Sequence, residues 1–302
     1  MKRIKVAIIG SGNIGIDLAE RLLDDSRFEL YCLIGRRRNS EGLLRFKDRI
    51  PFLLDSAAYS LKQVIHDVDG VFDATSAFDH EEHWKIAQNA SRWIVDLTPS
   101  RIGSPISPVL TTYLKEMKIQ DNFVANYSMI TCGGQSAAPM LFAIREGVED
   151  IFDVEISSSI AALSAGPATR KNIDNYIETT QALGSLITNC ESTKAVLVLN
   201  PAEPPVMMRT TVQVLGSGVD LTKIHFTLNE VTKQLVKYVP GYKVSVMPTI
   251  ENHSLVSATA LVEGSGYYLP KYAGNLDIIN AAAVETAYRH SLRHSGETIE
   301  TV

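Results

Sequence analysis

Two short stretches of this 302-residue chain hold residue types that do chemistry at the spacing the chemistry needs. The first is Thr131-Cys132-Gly133-Gly134-Gln135. Glycines and then a stretch of helical character, Ser136–Ile144, follow the cysteine, which puts the sulfur at a helix N-terminus. Free N–H groups and the helix dipole lower a thiol pKa there and favour the nucleophilic thiolate. The glycines are expected to open space for an approaching carbonyl carbon, with backbone N–H groups placed for an oxyanion. Cys132 is therefore the candidate for covalent catalysis. Cys32, inside an apolar strand, and Cys190 read as small buried hydrophobes instead.

The second stretch is Gly10-Ser11-Gly12-Asn13-Ile14-Gly15, a G-x-G-x-x-G that follows an apolar run and opens a helical one. In that context it is a dinucleotide fingerprint. Gly10 allows a tight turn, Gly12 lets the backbone approach a pyrophosphate, and Gly15 lets helix and strand pack closely. A NAD site carries Asp or Glu at the end of the second strand to bind the ribose 2′-hydroxyl. Here Gly35 is followed by Arg36, Arg37 and Arg38, then Asn39 and Ser40. Guanidinium groups match phosphate geometry, so a 2′-phosphate and NADP are expected.

The elements that must position these residues are legible from periodicity. Lys5–Ile9, Glu29–Ile34, Val71–Ala74 and Trp93–Leu97 read as buried strands. They alternate with helical runs at Ile14–Leu23 and from Asp79, expected as a cap, to about Ala90. This predicts an α/β chain whose first domain is a doubly wound parallel sheet, a Rossmann fold. From about residue 123 the strand candidates lengthen and alternate: Asp153–Ala161, Ala195–Leu199, Thr211–Leu215, Tyr242–Met247 and Ser257–Val262. With helices at Ile173–Thr188 and Leu221–Tyr238, they predict an antiparallel sheet carrying helices on one face, an α+β second domain. The expected division is 1–130 for dinucleotide binding and 131–270 for catalysis and dimerisation. Residues 271–302, which hold a helix over Leu276–His294 and a polar tail from Ser295, return to the first domain. A net charge of −5 without a basic stripe argues against nucleic-acid binding. No apolar stretch is long enough to span a bilayer, and Val6–Ile9 is too short for a signal-peptide core. Three cysteines without paired spacing argue for a reducing cytoplasm and against a disulfide framework or a zinc site.

Ordered segments along nearly the whole chain resemble the acylating acetaldehyde dehydrogenases. They include KVAIIGSGNIG (Lys5–Gly15), VFDATSA (Val71–Ala77), DLTPS (Asp96–Ser100), TCGGQ (Thr131–Gln135), SAGPATRKNID (Ser164–Asp174), NPAEPP (Asn200–Pro205), YVPGY (Tyr238–Tyr242) and YLPKYAGNLDI (Tyr268–Ile278). The resemblance implies an enzyme that interconverts an aldehyde and an acyl thioester, with Cys132 as nucleophile and coenzyme A or another thiol carrier as co-substrate. It implies cofactor contacts from Ser11 to Ile14, at Asn275, and along Leu163, Ser164, Ala165, Gly166, Pro167, Ala168, Thr169, Arg170 and Lys171. It also implies that Asn172 places the substrate carbonyl, that NAD is the family's usual cofactor, and that the protein forms a homodimer, with an aldolase as a further partner.

The chain departs from the family at three places. Thr210 follows Met208-Arg209 where the family usually has an acid linked to thiol activation, so restoring the acid is expected to speed acylation. Arg37 replaces the family's acid at the second-strand end. The stretch between Met247 and Ala258 is short. Together they suggest a diverged relative, a biosynthetic thioester reductase. An acyl-phosphate reductase with His253 as base is a second enzyme reading, and a non-catalytic nucleotide-binding regulator is a third.

Overall fold

Strands and helices alternate from the first residues on, as the apolar periodicity requires. The computed structural model describes residues 2–295 and divides into two units. Unit 1 comprises residues 2–106, 117–129 and 283–295; unit 2 comprises 107–116 and 130–282. Of the expected polar tail, only Ser295 is among the described residues.

Unit 1 runs β1 (Ile4–Ile9), α1 (Asn13–Asp24), β2 (Phe28–Ile34), α2 (Glu41–Leu44), β3 (Phe52–Leu54), α3 (Ala57–Val64), β4 (Gly70–Asp73), α4 (Ala77–Asn89), β5 (Trp93–Asp96), β6 (Ser104–Ile106) and β7 (Asn126–Met129). The strands form one sheet in the order β3-β2-β1-β4-β5-β7-β6, and every neighbouring pair is parallel. β1 is buried throughout its second half, Val6 to Ile9, as a strand covered on both faces must be. The strand order reverses beside β1, and ligands of such sheets bind at the carboxyl ends of the strands near that point. The register aligns Ile9, Ile34, Asp73 and Asp96 at this edge.

Some elements escape the sequence pattern for identifiable reasons. β3 and β6 have three residues each, and β6 tolerates Pro105 because it is an edge strand. β7 (Asn126-Tyr127-Ser128-Met129) looks polar yet is buried. Most of its side-chain polar atoms have partners, the exception being Asn126 Oδ1: Asn126 Nδ2 lies 3.1 Å from His80 Nε2, and Ser128 Oγ accepts from Gly103 N–H at 2.9 Å. Tyr127 Oη lies 2.9 Å from His290 Nδ1. The cap of α4 is Ser76 rather than Asp79. Ser76 Oγ accepts from the Asp79 N–H, and its hydroxyl donates back to the Asp79 carboxylate at 2.7 Å.

Unit 2 contains α5 (Cys132–Gly147), β8 (Asp150–Ala161), α6 (Pro167–Lys171), α7 (Ile173–Thr188), β9 (Thr193–Asn200), β10 (Met208–Ser217), α8 (Leu221–Leu235), β11 (Tyr242–Glu251) and β12 (Leu255–Val262). Its sheet has the order β11-β12-β10-β8-β9. The expectation of an antiparallel sheet is corrected at one pair. β8 and β9 run parallel, because α7 carries the chain back across the sheet between them. α5 packs on β8, β10 and β12, α7 on β8 and β9, and α8 on β11. The short stretch after Met247 is a hairpin turn, residues 252–254, between β11 and β12. α9 (Gly274–His294) contributes residues 274–282 to unit 2 and the rest to unit 1.

Candidate active site

In unit 1 the fingerprint glycines are demanded by backbone sterics. Gly10 has φ +109°, in the region that favours glycine, and a Cβ there would meet the backbone of Ala74. A Cβ on Gly15 would collide with the Gly10 carbonyl. Gly12 is different: nothing lies within 4 Å of the position its Cβ would take. It is the N-cap of α1 and offers no side-chain cap, so the helix end faces open space, as phosphate binding requires. Ser11, Asn13 and Ile14 share this turn. The arginine turn packs directly on it: Ser11 Oγ lies 3.2 Å from Ser40 Oγ, and a Cβ on Gly35 would meet Ser11 Oγ. Arg36, Arg37 and Arg38 are all exposed beside the fingerprint.

In unit 2 Cys132 is the first residue of α5, and Thr131 is its cap, accepting from the Gly134 N–H at 2.9 Å. Thr131 Oγ1 also lies 2.6 Å from Thr180 Oγ1 on α7, one turn beyond Tyr176. Tyr176 reaches the same spot. Its Oη is 3.9 Å from Cys132 Sγ and accepts from the Gly133 N–H at 3.1 Å. Beside it stands Ser158 on β8, whose Oγ and Tyr176 Oη both lie within 2.5 Å of the place a Gly133 Cβ would take. Ser158 Oγ lies 3.2 Å from Thr210 Oγ1, its cross-strand partner on β10. Ser158 and Thr210 are buried.

Two expectations about the cysteine loop are corrected here. The glycines do not open space for a substrate. A Cβ on Gly133 would collide with Tyr176 Oη and Ser158 Oγ, and one on Gly134 would meet Leu183 and Thr131, so protein atoms fill both places. The N–H groups of Gly133 and Gly134 are likewise spent on Tyr176 and Thr131. Nor is the thiol lowered. Burial pushes Cys132 up to about 11, against the Tyr176 hydroxyl and the N–H groups of Gly133 and Cys132 itself, which favour the thiolate. Desolvation outweighs the helix N-terminus. Cys32 is fully buried and is pushed to about 12 by burial alone; Cys190 is buried as well.

Asn172 occupies the N-cap position of α7 without making a side-chain cap. The Tyr176 N–H donates to the Asn172 carbonyl at 3.0 Å, so the two residues lie one turn apart at the end of α7 that meets Cys132. Asn175 Nδ2 donates to Asn172 Oδ1 at 3.5 Å. Arg170 clamps the turn before α6, donating from Nε to the Ala165 carbonyl at 3.0 Å and from Nη2 to that of Ala162 at 2.9 Å. Ser164 and Ala165 are buried there, Leu163 is 70% exposed, and Gly166 faces open space. Thr169 is half-buried and Lys171 exposed. The side chains of Pro167 and Ala168 lie outside the described residues. Asn275 is buried, and its Oδ1 has no hydrogen-bond partner.

His253 does not belong to this site. It sits exposed, with φ +62°, in the β11–β12 turn. Thr210 pairs with Ala260, so β12 separates the turn from Thr210 by roughly 20 Å at about 3.4 Å per residue. Tyr176 and Ser158 were not singled out from the sequence. A tyrosine one turn after Asn172, and Ser157-Ser158-Ser159 in mid-strand, are the faint signals they leave. Among the described residues, no group of three or more His, Cys, Asp or Glu side chains is placed to hold a metal ion, and no helix is long and apolar enough to cross a membrane.

Residues 5–112 match the family model described as "Semialdehyde dehydrogenase, NAD binding domain", and residues 132–270 match "Prokaryotic acetaldehyde dehydrogenase, dimerisation". The chain is 39% identical to an acetaldehyde dehydrogenase of Pectobacterium atrosepticum over 97% of its own length and 98% of the relative's. It is 39% identical to one of Spirochaeta aurantia, covering 96% and 95%, and 37% identical to one of Burkholderia pseudomallei, covering 98% of each. Its fold resembles the crystal structure of aspartate semialdehyde dehydrogenase II complexed with ASA from Vibrio cholerae. The TM-score is 0.66 at 16% identity, with 95% of this chain and 98% of that one covered.

Proposed function

The chain belongs to the acetaldehyde dehydrogenase family, and from that premise we propose that it interconverts an aldehyde and an acyl thioester through an acyl group held on Cys132. The observation that carries this reading is the position of Cys132 at the first turn of α5, with Tyr176 against its sulfur and Asn172 one turn away from Tyr176. In the reducing direction the sulfur attacks the carbonyl carbon of an acyl thioester. The carbon–sulfur bond to the carrier breaks, and the thiol proton ends on the departing carrier thiolate. With the N–H groups of Gly133 and Gly134 engaged, the Asn172 amide is the donor for the developing oxyanion. In the oxidising direction the carrier thiol, coenzyme A or a carrier protein's, takes the acyl group from Cys132. The three thiols are unpaired, as a reducing cytoplasm would keep them.

A nicotinamide dinucleotide, when bound, supplies or accepts the hydride. The open Gly12 turn fits its pyrophosphate, and the unpaired Asn275 Oδ1 fits an amide donor. By resemblance, Ser11, Asn13 and Ile14 in unit 1 and Leu163–Lys171 in unit 2 are further cofactor contacts. Unit 1 is thereby assigned to dinucleotide binding and unit 2 to acyl chemistry. Unit 2 also presents half-exposed Val196, Val198 and Val246 on its sheet, a surface suited to a homodimer.

Cys132→Ala is expected to abolish turnover and to remove the single acyl adduct seen by intact mass, while dinucleotide binding persists. A fully active Cys132→Ala protein would end this reading. The cofactor is NADP(H), with Arg37 as the main 2′-phosphate contact. One charged hydrogen bond of about 1.5–3 kcal/mol corresponds to roughly a ten- to hundredfold preference in kcat/KM. Arg37→Asp should shift use toward NADH, and a wild type that prefers NADH would refute the assignment.

A further inference from the structure

We infer that Tyr176 holds the Cys132 thiolate, and that Ser158 and Thr210 are positioning residues that aim its hydroxyl at the sulfur. The inference rests on the reading of Cys132 as nucleophile, and it follows from counting protons and lone pairs. The Tyr176 oxygen has two acceptor positions. One takes the Gly133 N–H at 3.1 Å. The other faces Ser158, whose Oγ lies with Tyr176 Oη around the place a Gly133 Cβ would take and whose hydroxyl favours the phenolate. While the thiol keeps its proton, Cys132 Sγ is the donor to the Tyr176 oxygen at 3.9 Å; once the thiol ionises, the phenol hydroxyl is the donor left to reach the sulfur. Ser158 Oγ also lies 3.2 Å from Thr210 Oγ1, and when the Ser158 proton turns to Tyr176 it is Thr210 that donates across this contact. With the thiolate formed, the donors run from Thr210 to Ser158, from Ser158 to Tyr176 and from Tyr176 to sulfur. Chained donors of this kind polarise one another.

Two further features support the direction. Burial and the neighbouring thiol push Tyr176 well up, so it keeps its proton and remains a donor. The groups that act on the thiol are burial, the Tyr176 hydroxyl and the N–H groups of Gly133 and Cys132, all uncharged. A half-buried thiol that must ionise without a cation depends on whichever donor reaches it. Gly133 is part of the device, since any side chain there would push Tyr176 and Ser158 apart. The chain of hydroxyls takes up no net proton. Cys132 loses its proton as its sulfur bonds the acyl carbon, the carrier's carbon–sulfur bond breaks, and that proton leaves on the carrier thiol. Tyr176 accepts from the thiol and donates to the thiolate, keeping its own proton.

The test is the rate of iodoacetamide alkylation at Cys132, located by peptide mass and followed between about pH 7 and pH 10. This readout is independent of acyl chemistry, so it stands apart from the Cys132→Ala test of function. Tyr176→Phe should lower the rate at a given pH by about tenfold. Thr210→Val and Ser158→Ala should lower it by a smaller factor, roughly threefold. Thr210→Ser, which restores the hydroxyl, should recover the wild-type rate. An unchanged or faster profile in Tyr176→Phe overturns the inference. Should that variant fail to fold, unchanged profiles in both Thr210→Val and Ser158→Ala overturn it equally.

Discussion

Each unit buries one polar network, and the two are built from opposite chemistry. In unit 1, Asp73 at the end of β4 takes hydrogen bonds from His80 Nδ1 at 2.9 Å, from His83 Nδ1 at 2.8 Å, and from the hydroxyl and N–H of Thr75. Asp96 at the end of β5 stands 3.5 Å from the same His80 nitrogen and accepts from the Thr98 N–H and the Ser100 hydroxyl. Burial alone would raise Asp73, but the two histidines and Thr75 hold it well below the usual carboxylate range. In unit 2, Thr210, Ser158, Tyr176 and Cys132 form a chain in which every member is neutral as long as the thiol keeps its proton. The first network uses charge to fix the loops after two strand ends. The second leaves a reacting sulfur whose charge can be set by one donor, with no fixed ion competing for it.

The contrast is broken most directly by deleting one member of each network. Asp73→Ala leaves two buried imidazoles without their shared acceptor. Removing one partner of a buried charged group costs about 3–5 kcal/mol. Ser158→Ala removes one neutral hydroxyl and should cost about 1 kcal/mol. Urea unfolding of the two variants checks the difference. Equal losses would mean that the Asp73 network carries no more than hydrogen bonds.

A second, smaller effect separates the networks by pH. Burial would lower His80, but the Asp73 hydrogen bond and the nearby Asp96 charge raise it. A raised histidine contributes stability that is fully present below about pH 6.5 and lost as pH rises through its folded value. Asp73, held low, contributes above about pH 3.9 and loses that contribution as pH falls. His290, which burial pulls to about 4, also weakens the acid side. The limb between about pH 6.5 and 8.5, below the range in which the raised thiols Cys32 and Cys132 add their own loss, is thus the test of His80. In His80→Gln the loss of stability above neutral pH should flatten, read as the unfolding midpoint against pH. An alkaline limb identical to the wild type's would remove His80 from the account.

How much of this was legible in the sequence differs between the two regions for a physical reason. The dinucleotide turn is local: Gly10, Gly12 and Gly15 lie within six residues, and the need for glycine at Gly10 and Gly15 comes from neighbouring backbone. The strands around them announce themselves as apolar runs bounded by breakers. The cysteine site is not local. Cys132, Ser158, Tyr176 and Thr210 come from α5, β8, α7 and β10, and only the β8–β10 register and the packing of α7 bring them together. Cys132 could be marked from its glycines, but what those glycines admit, a tyrosine hydroxyl rather than a substrate, depends on α7. The thiol pKa was misjudged for the same reason: the helix N-terminus is visible in sequence, and the burial that outweighs it is not.

Thr210→Asp gives the smallest and most discriminating effect, because it puts a carboxyl into the neutral network at the position where the resemblance expects an acid. The sequence alone suggested that this change would speed acylation by giving the thiol a base. The geometry argues otherwise. Thr210 is fully buried, and Ser158, not Cys132, is its hydroxyl's neighbour. While protonated, the new carboxyl can donate to Ser158 as the threonine does, so the direction of the hydroxyl chain survives. Once ionised, it can only accept. Ser158 would then turn its proton toward the carboxylate and away from Tyr176, and the new charge would oppose the thiolate. Burial should raise the pKa of this carboxyl. Alkylation of Cys132 in Thr210→Asp should therefore match the wild type at the acid end of the profile and fall behind it by roughly two- to fivefold as pH rises. Alkylation faster than wild type near neutral pH would show that the carboxyl serves the thiol as a base, and that the neutral chain is not what sets the sulfur's charge.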